Sequence, residues 1–226
     1  MIPLYIIKIV APLVTGIITL IAGFIELRLN PKNWLNRWFF SFFFSTSLAH
    51  LVYSLYHIGI FSPVEISISA VITQIFFNFI PISLVMTVFV LEKFSKGAMS
   101  PKYLGTLLVI FVLMCLGYFF NPPVTNPEDY ANHIINTETQ RTWFVIVNVA
   151  RMVLFGYALV KYAMMMKKTE DEAKQRIRWF FLGILIIIIG LIFNLLGGIL
   201  DSGEVEIIAL ILFNIGAIVI VKGFLI

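Results

Sequence analysis

Apolar residues crowd into seven stretches, at about 3–27, 38–60, 66–91, 103–121, 143–165, 179–200 and 207–226. Each is close to the roughly 20 residues that a helix needs to cross a bilayer. The polar breaks between them read "NPKN", "FSPVE", "KGAMSPK", "NPPVTNPEDY", "KKTEDEAKQR" and "DSGEVE". The pattern predicts an all-α bundle of seven transmembrane helices forming a single domain over 1–226. Pro12 and Pro81 fall inside predicted spans, where a proline frees a carbonyl and kinks the helix.

Charge orients the pattern. Arg28, Lys32 and Arg37 mark the first connection, and Lys93, Lys96 and Lys102 the third. The fifth carries Lys167, Lys168, Lys174, Arg176 and Arg178. The alternate connections hold Arg141 as their one basic residue, against Glu65, Glu128, Asp129, Glu138, Asp201, Glu204 and Glu206. Basic loops stay cytoplasmic, so the N-terminus is expected outside and the C-terminus inside. An Arg-Trp pair opens both the second span ("NRWFF") and the sixth ("IRWFF"), which suits an interfacial anchor with arginine snorkelling to phosphates.

Composition agrees: 60% of residues are hydrophobic and 12% charged, far from the balance of a soluble domain. The expected place is the cell membrane, as a multi-pass protein with the lipid bilayer as its first partner. The net charge of +4 resides in the connections, so nucleic acid is not an expected partner. Cys115 is the single cysteine, and no Cys/His cluster has zinc spacing.

The candidate chemistry lies in the polar residues inside the spans. At 1.5 Å per residue, Gln74 falls about 10–12 Å below the outer edge and Asn78 near the midplane. Asn148 and Arg151, three residues apart, share a face of the fifth span. On the second span His50, Tyr53, Ser54 and His57 share another, and Asn194 and Asn214 lie in the outer half of the last two. The inner half reads as nearly pure Ile, Leu, Phe and Val, apart from Glu26 and Lys161. This asymmetry suggests an outward-facing pocket closed below, with Arg151, Asn148, Asn78, Gln74, His57, Tyr53 and Asn214 as its members. An arginine at that depth costs roughly 2.5–3.5 kcal/mol on insertion scales and needs a partner. Carbonyls, the amides, a tyrosine or a small anionic or lipid-like ligand could supply one. The plainer reading of the amides and histidines is hydrogen bonding between helices.

No metal or other cofactor is expected. His50 and His57 are about 10 Å apart along one helix, too far to share an ion. His133, in an outer loop, is within reach of His57 alone. A retinal lysine is missing from the middle of the seventh span, where Lys222 sits near the cytoplasmic end. No phosphate loop, HExxH or GxSxG occurs, so enzymatic activity is not expected.

Two segments, "NRWFFSFFFSTSLAHLVYSLYH" and "KQRIRWFFLGILIIIIG", together with the length and the N-out arrangement, carry a resemblance. In these the chain resembles the seven-helix N-terminal region of prokaryotic sensor histidine kinases over nearly its whole length. The resemblance implies a sensory role, with signal transduction to a cytoplasmic partner or to an output domain not contained in residues up to Ile226. It carries over no ligand residues. The competing expectations are a small-solute or ion transporter, for which polar groups should line the whole path, and an accessory subunit of a larger complex.

Overall fold

A computed structural model describes residues 2–132, 134–168 and 171–225; His133 lies outside them. Eight helices and a short hairpin follow one another: α1 (Ile2–Leu29), α2 (Trp34–Tyr56), α3 (Pro63–Ala98) and α4 (Thr106–Phe120) come first. Then come β1 (Val124–Thr125), α5 (Pro127–Ala131) and β2 (Thr137–Glu138), followed by α6 (Arg141–Met166), α7 (Asp171–Leu200) and α8 (Gly203–Leu225). Seven helical segments are long and apolar enough to cross a membrane.

Local chemistry sets the helix limits. Asn33 caps α2 by accepting from the Leu35 amide at 2.9 Å. Ser62 and Glu65 form a reciprocal capping box that starts α3 at Pro63. The third apolar run is longer as a helix than as a pattern, because charged residues 92–98 extend α3. Within it Phe94 takes a left-handed φ of 56° and is exposed, while the helix continues through Pro81. A π-helical turn at Pro101–Gly105 leads into α4. The connection 121–140 holds more structure than its polar sequence implies. β1 pairs antiparallel with β2, Val124 opposite Glu138, around the short α5.

The helices α1, α2, α3, α6, α7 and α8 pack in a closed ring, with α8 returning to α1 and α4 resting outside on α3. At the end where α1 turns into α2, aromatic rings from four helices interlock. Phe39 meets Phe180 at 5.5 Å and Phe224 at 5.0 Å, and Tyr162 meets Phe180 at 4.8 Å. This end is sealed. It is less purely apolar than the sequence suggested, since Thr87 and Tyr162 share a buried hydrogen bond of 2.6 Å; Lys161, an exception already expected, pairs with Glu92 at 2.8 Å.

The first Arg-Trp pair resolves differently from the expected anchor. Trp38 is buried against Phe79, because its position on α2 turns it into the core. Arg37 instead lies over Trp34, and Lys222 covers Trp179 at 4.1 Å. Cation and ring still meet at this end, through other partners. The outward faces are apolar throughout, as in Val109, Val112 and Leu113 of α4.

Candidate ligand cavity

At the opposite end, beneath the hairpin, the ring of helices opens into a cavity of about 520 Å³. That volume lies in the range of small-molecule sites. Its deep walls are apolar, with Ile80, Phe155 and Ile187 lowest and Phe77, Leu191 and Phe213 beside them. Its roof and rim come from the hairpin and from the α7–α8 turn.

Arg151 projects from α6 into the wall of this cavity and is 5% exposed. Its Nε donates to Asn78 Oδ1 at 2.9 Å, and one terminal nitrogen donates to Gln74 Oε1 at 2.7 Å. The other reaches Asn148 Oδ1 at 3.5 Å. Asn78 in turn donates to the Met114 carbonyl of α4 at 2.9 Å, and Tyr118 donates to Gln74 at 3.3 Å. Asn194 of α7 donates to Asn148 at 3.5 Å. The guanidinium is therefore held by amide dipoles drawn from α3 and α6, in a network that continues to α4 and α7. Among the described residues no carboxylate pairs with it. It lines the cavity as a cation whose five N–H donors are mostly engaged, by Asn78, by the Gln74 side chain and its carbonyl at 3.5 Å, and by Asn148.

The polar stripe of α2 lines the other side. His50, Tyr53 and His57 all reach the cavity wall, while Ser54 donates instead to the Ile9 carbonyl of α1 at 2.7 Å. The helix ends at Tyr56, so His57 occupies the cap, where Nδ1 lies 2.8 Å from the Tyr53 carbonyl. Its ring sits against those of Tyr53 and Tyr56. His50, 3% exposed, stands edge-on to Phe77, and its Nδ1 has no hydrogen-bond partner among the described residues. Among those residues no three His, Cys, Asp or Glu side chains converge as metal ligands.

The rim depends on Lys8, a lysine inside the first apolar run that is 8% exposed. Its ammonium donates to Asn136 Oδ1 at 2.8 Å and lies 3.6 Å from Glu206 of α8. Asn136 donates onward to Asp129 at 2.7 Å. The hairpin is also tied by Ser67 to the Pro123 carbonyl and by Tyr130 to the Phe61 carbonyl. Lys8→Met removes one of these ties, a loss of about 1 kcal/mol. Amide exchange across residues 124–138 is expected to rise roughly fivefold, read by deuterium uptake.

No protein-family model matches the chain, and no curated protein matches its sequence. The site is described by its own geometry.

Of the seven residues expected to form the pocket, Arg151, Gln74, Tyr53 and His57 line the cavity. Asn78 and Asn148 stand behind the wall and grip the guanidinium. Asn214 is turned away. Its side chain meets Thr15 of α1 and donates to the Leu210 carbonyl, because its azimuth on α8 faces the α1 contact. Sequence reasoning passed over Lys8, although a cation within a span is a recognised signal of function. His50, on the polar stripe of the second span though not among those seven, lines the cavity too, and the rim carboxylates, expected only as loop charges, are gathered there by the fold.

Proposed function

We propose that this chain is a multi-pass membrane protein of receptor or sensor type, with its N-terminus and hairpin outside and its basic connections in the cytoplasm. The observation that carries the reading is a cavity open at one end, walled by an arginine with no carboxylate partner among the described residues and closed below by packed aromatic rings. A transport path needs polar groups along its whole length, and the aromatic plug interrupts it. A small anionic or lipid-like ligand engages Arg151 and Gln74, with Tyr53 and His57 on the facing wall. Occupancy shifts the packing of α6, α7 and α8, and a cytoplasmic signalling partner or output domain reads the change. The resemblance to the membrane regions of sensor histidine kinases supports this direction of signalling.

Orientation is tested in a Cys115→Ala background carrying one new cysteine. On intact cells a membrane-impermeant maleimide is expected to label Glu128→Cys and to spare Lys96→Cys. The reverse labelling overturns the orientation. Uptake of organic acids into proteoliposomes that Arg151→Ala abolishes would make the protein a transporter and overturn the sensory reading.

A further inference from the structure

Resting on the reading of this cavity as a ligand site, we infer that its ligand is bipolar: a soluble molecule with an inner carboxylate, an apolar middle and an outer ammonium group. The charges of the cavity are partitioned by depth. Deep in the wall stands Arg151, a cation without a carboxylate partner among the described residues. Across from it His50 is 97% buried, with an Nδ1 that nothing among those residues satisfies. A ligand carboxylate placed between the two would accept from the guanidinium and meet the imidazole.

The rim has the opposite sign. Among the described residues four carboxylates line it, from Asp129, Glu138, Asp201 and Glu206, against the cations of Lys8 and Arg141. Lys8 offsets Glu206. Arg141 spends its contact on the Ile199 carbonyl instead of on an acid. Asp129 and Glu138 accept from the neutral amides of Asn136 and Asn126, which leaves their charge in place. The rim is net negative, and the deep wall is net positive.

That split discriminates among ligand classes. A simple organic anion would cross an acidic rim and find no partner there. A simple cation would be drawn in only to meet Arg151. A molecule with separated charges satisfies both levels, and Phe144 and Leu210, which line the cavity between them, suit a hydrocarbon spacer. Arg141 and Arg151 are ten residues apart on α6, a rise of about 15 Å. That rise sets the scale on which the ligand's two charges must be separated, and an ω-amino acid of medium length is the class that matches it. Zwitterionic lipid headgroups carry their two charges too close together to bridge it.

The test uses the full chain in phosphatidylcholine nanodiscs, with 8-aminooctanoate, octanoate and octylammonium as probes in equilibrium dialysis. The zwitterion is expected to bind about tenfold tighter than either singly charged probe. Arg151→Gln should abolish that preference. Because this variant disturbs a structural network, the double variant Glu138→Gln/Asp201→Asn, at two exposed rim positions, provides the second arm. It should bring 8-aminooctanoate down to the affinity of octanoate without weakening octanoate itself. Equal binding of octanoate and the zwitterion by the unaltered chain overturns the inference while leaving an anion receptor intact. Preference for octylammonium, or no binding of any probe, also overturns it, and neither result alters the labelling and uptake tests of the sensory reading.

Discussion

Replacing Asn78 by leucine should cost the fold about 3 kcal/mol, a fall in unfolding midpoint of roughly 6–12 °C. The change is nearly isosteric, so the effect measures chemistry more than volume. It strips Arg151 Nε of its acceptor and the Met114 carbonyl of its side-chain donor at once. The cation is left buried with only the Gln74 and Asn148 contacts, and an uncompensated buried charge is far more costly than a lost neutral bond. Asn78→Asp keeps an acceptor for Arg151 and adds a neutralising charge, so it should retain most of the stability. Val109→Ala, on the outer apolar face of α4, should move the midpoint little. Thermal unfolding in detergent, followed by tryptophan fluorescence, separates the three. A leucine variant melting within 2 °C of the parent would show that the amide network does not hold the arginine.

The second large effect lies at the crossing of α7 and α8. A β-carbon on Gly183 would overlap Ile220 Cγ1 and stand 2.7 Å from the Gly216 carbonyl and 2.9 Å from the Ile220 amide. Two of those three atoms are backbone, so α8 itself would have to retreat. Gly183→Ala should therefore destabilise by about 2–3 kcal/mol, and Gly183→Val by more. Gly156 on α6 is the contrast, since nothing lies within 4 Å of the position its β-carbon would take. There alanine should stabilise by up to about 1 kcal/mol through helix propensity. The same unfolding assay should thus return opposite signs for one chemical change. Destabilisation of equal size at both sites would remove the case for close backbone approach at Gly183.

These outcomes bear on what could be read without the fold. The seven apolar runs were legible because span length is a property of local sequence, and the Gln74–Asn78–Arg151 level followed from the rise of a helix. Depth carries no azimuth, however. Asn214 shares the outer half with the cavity residues yet points to Thr15, and α8 is apolar on all sides, so no polar stripe announces its phase. Trp38 was misjudged for a related reason: being next to Arg37 in sequence places it 100° around the helix, on the core side. Lys8 was hidden because its partner Asn136 is 128 residues away in a connection whose structure no periodicity forecasts. The acidic rim likewise exists only once the hairpin folds back over the α7–α8 turn.

The closure of the ring also bears on the order in which the molecule is assembled. Among the described helices, α1 is synthesised before the others yet is flanked by α2 and α8, so it finds half of its partners only when α8 is finished. Thr15 and Asn214, which meet across that late seam, each have a provisional partner within their own helix, the Ala11 and Leu210 carbonyls respectively. Neither side chain need wait unsatisfied in lipid during synthesis. The seam between α1 and α8 is therefore the joint of this ring that translation leaves open longest, and the one that completing α8 closes.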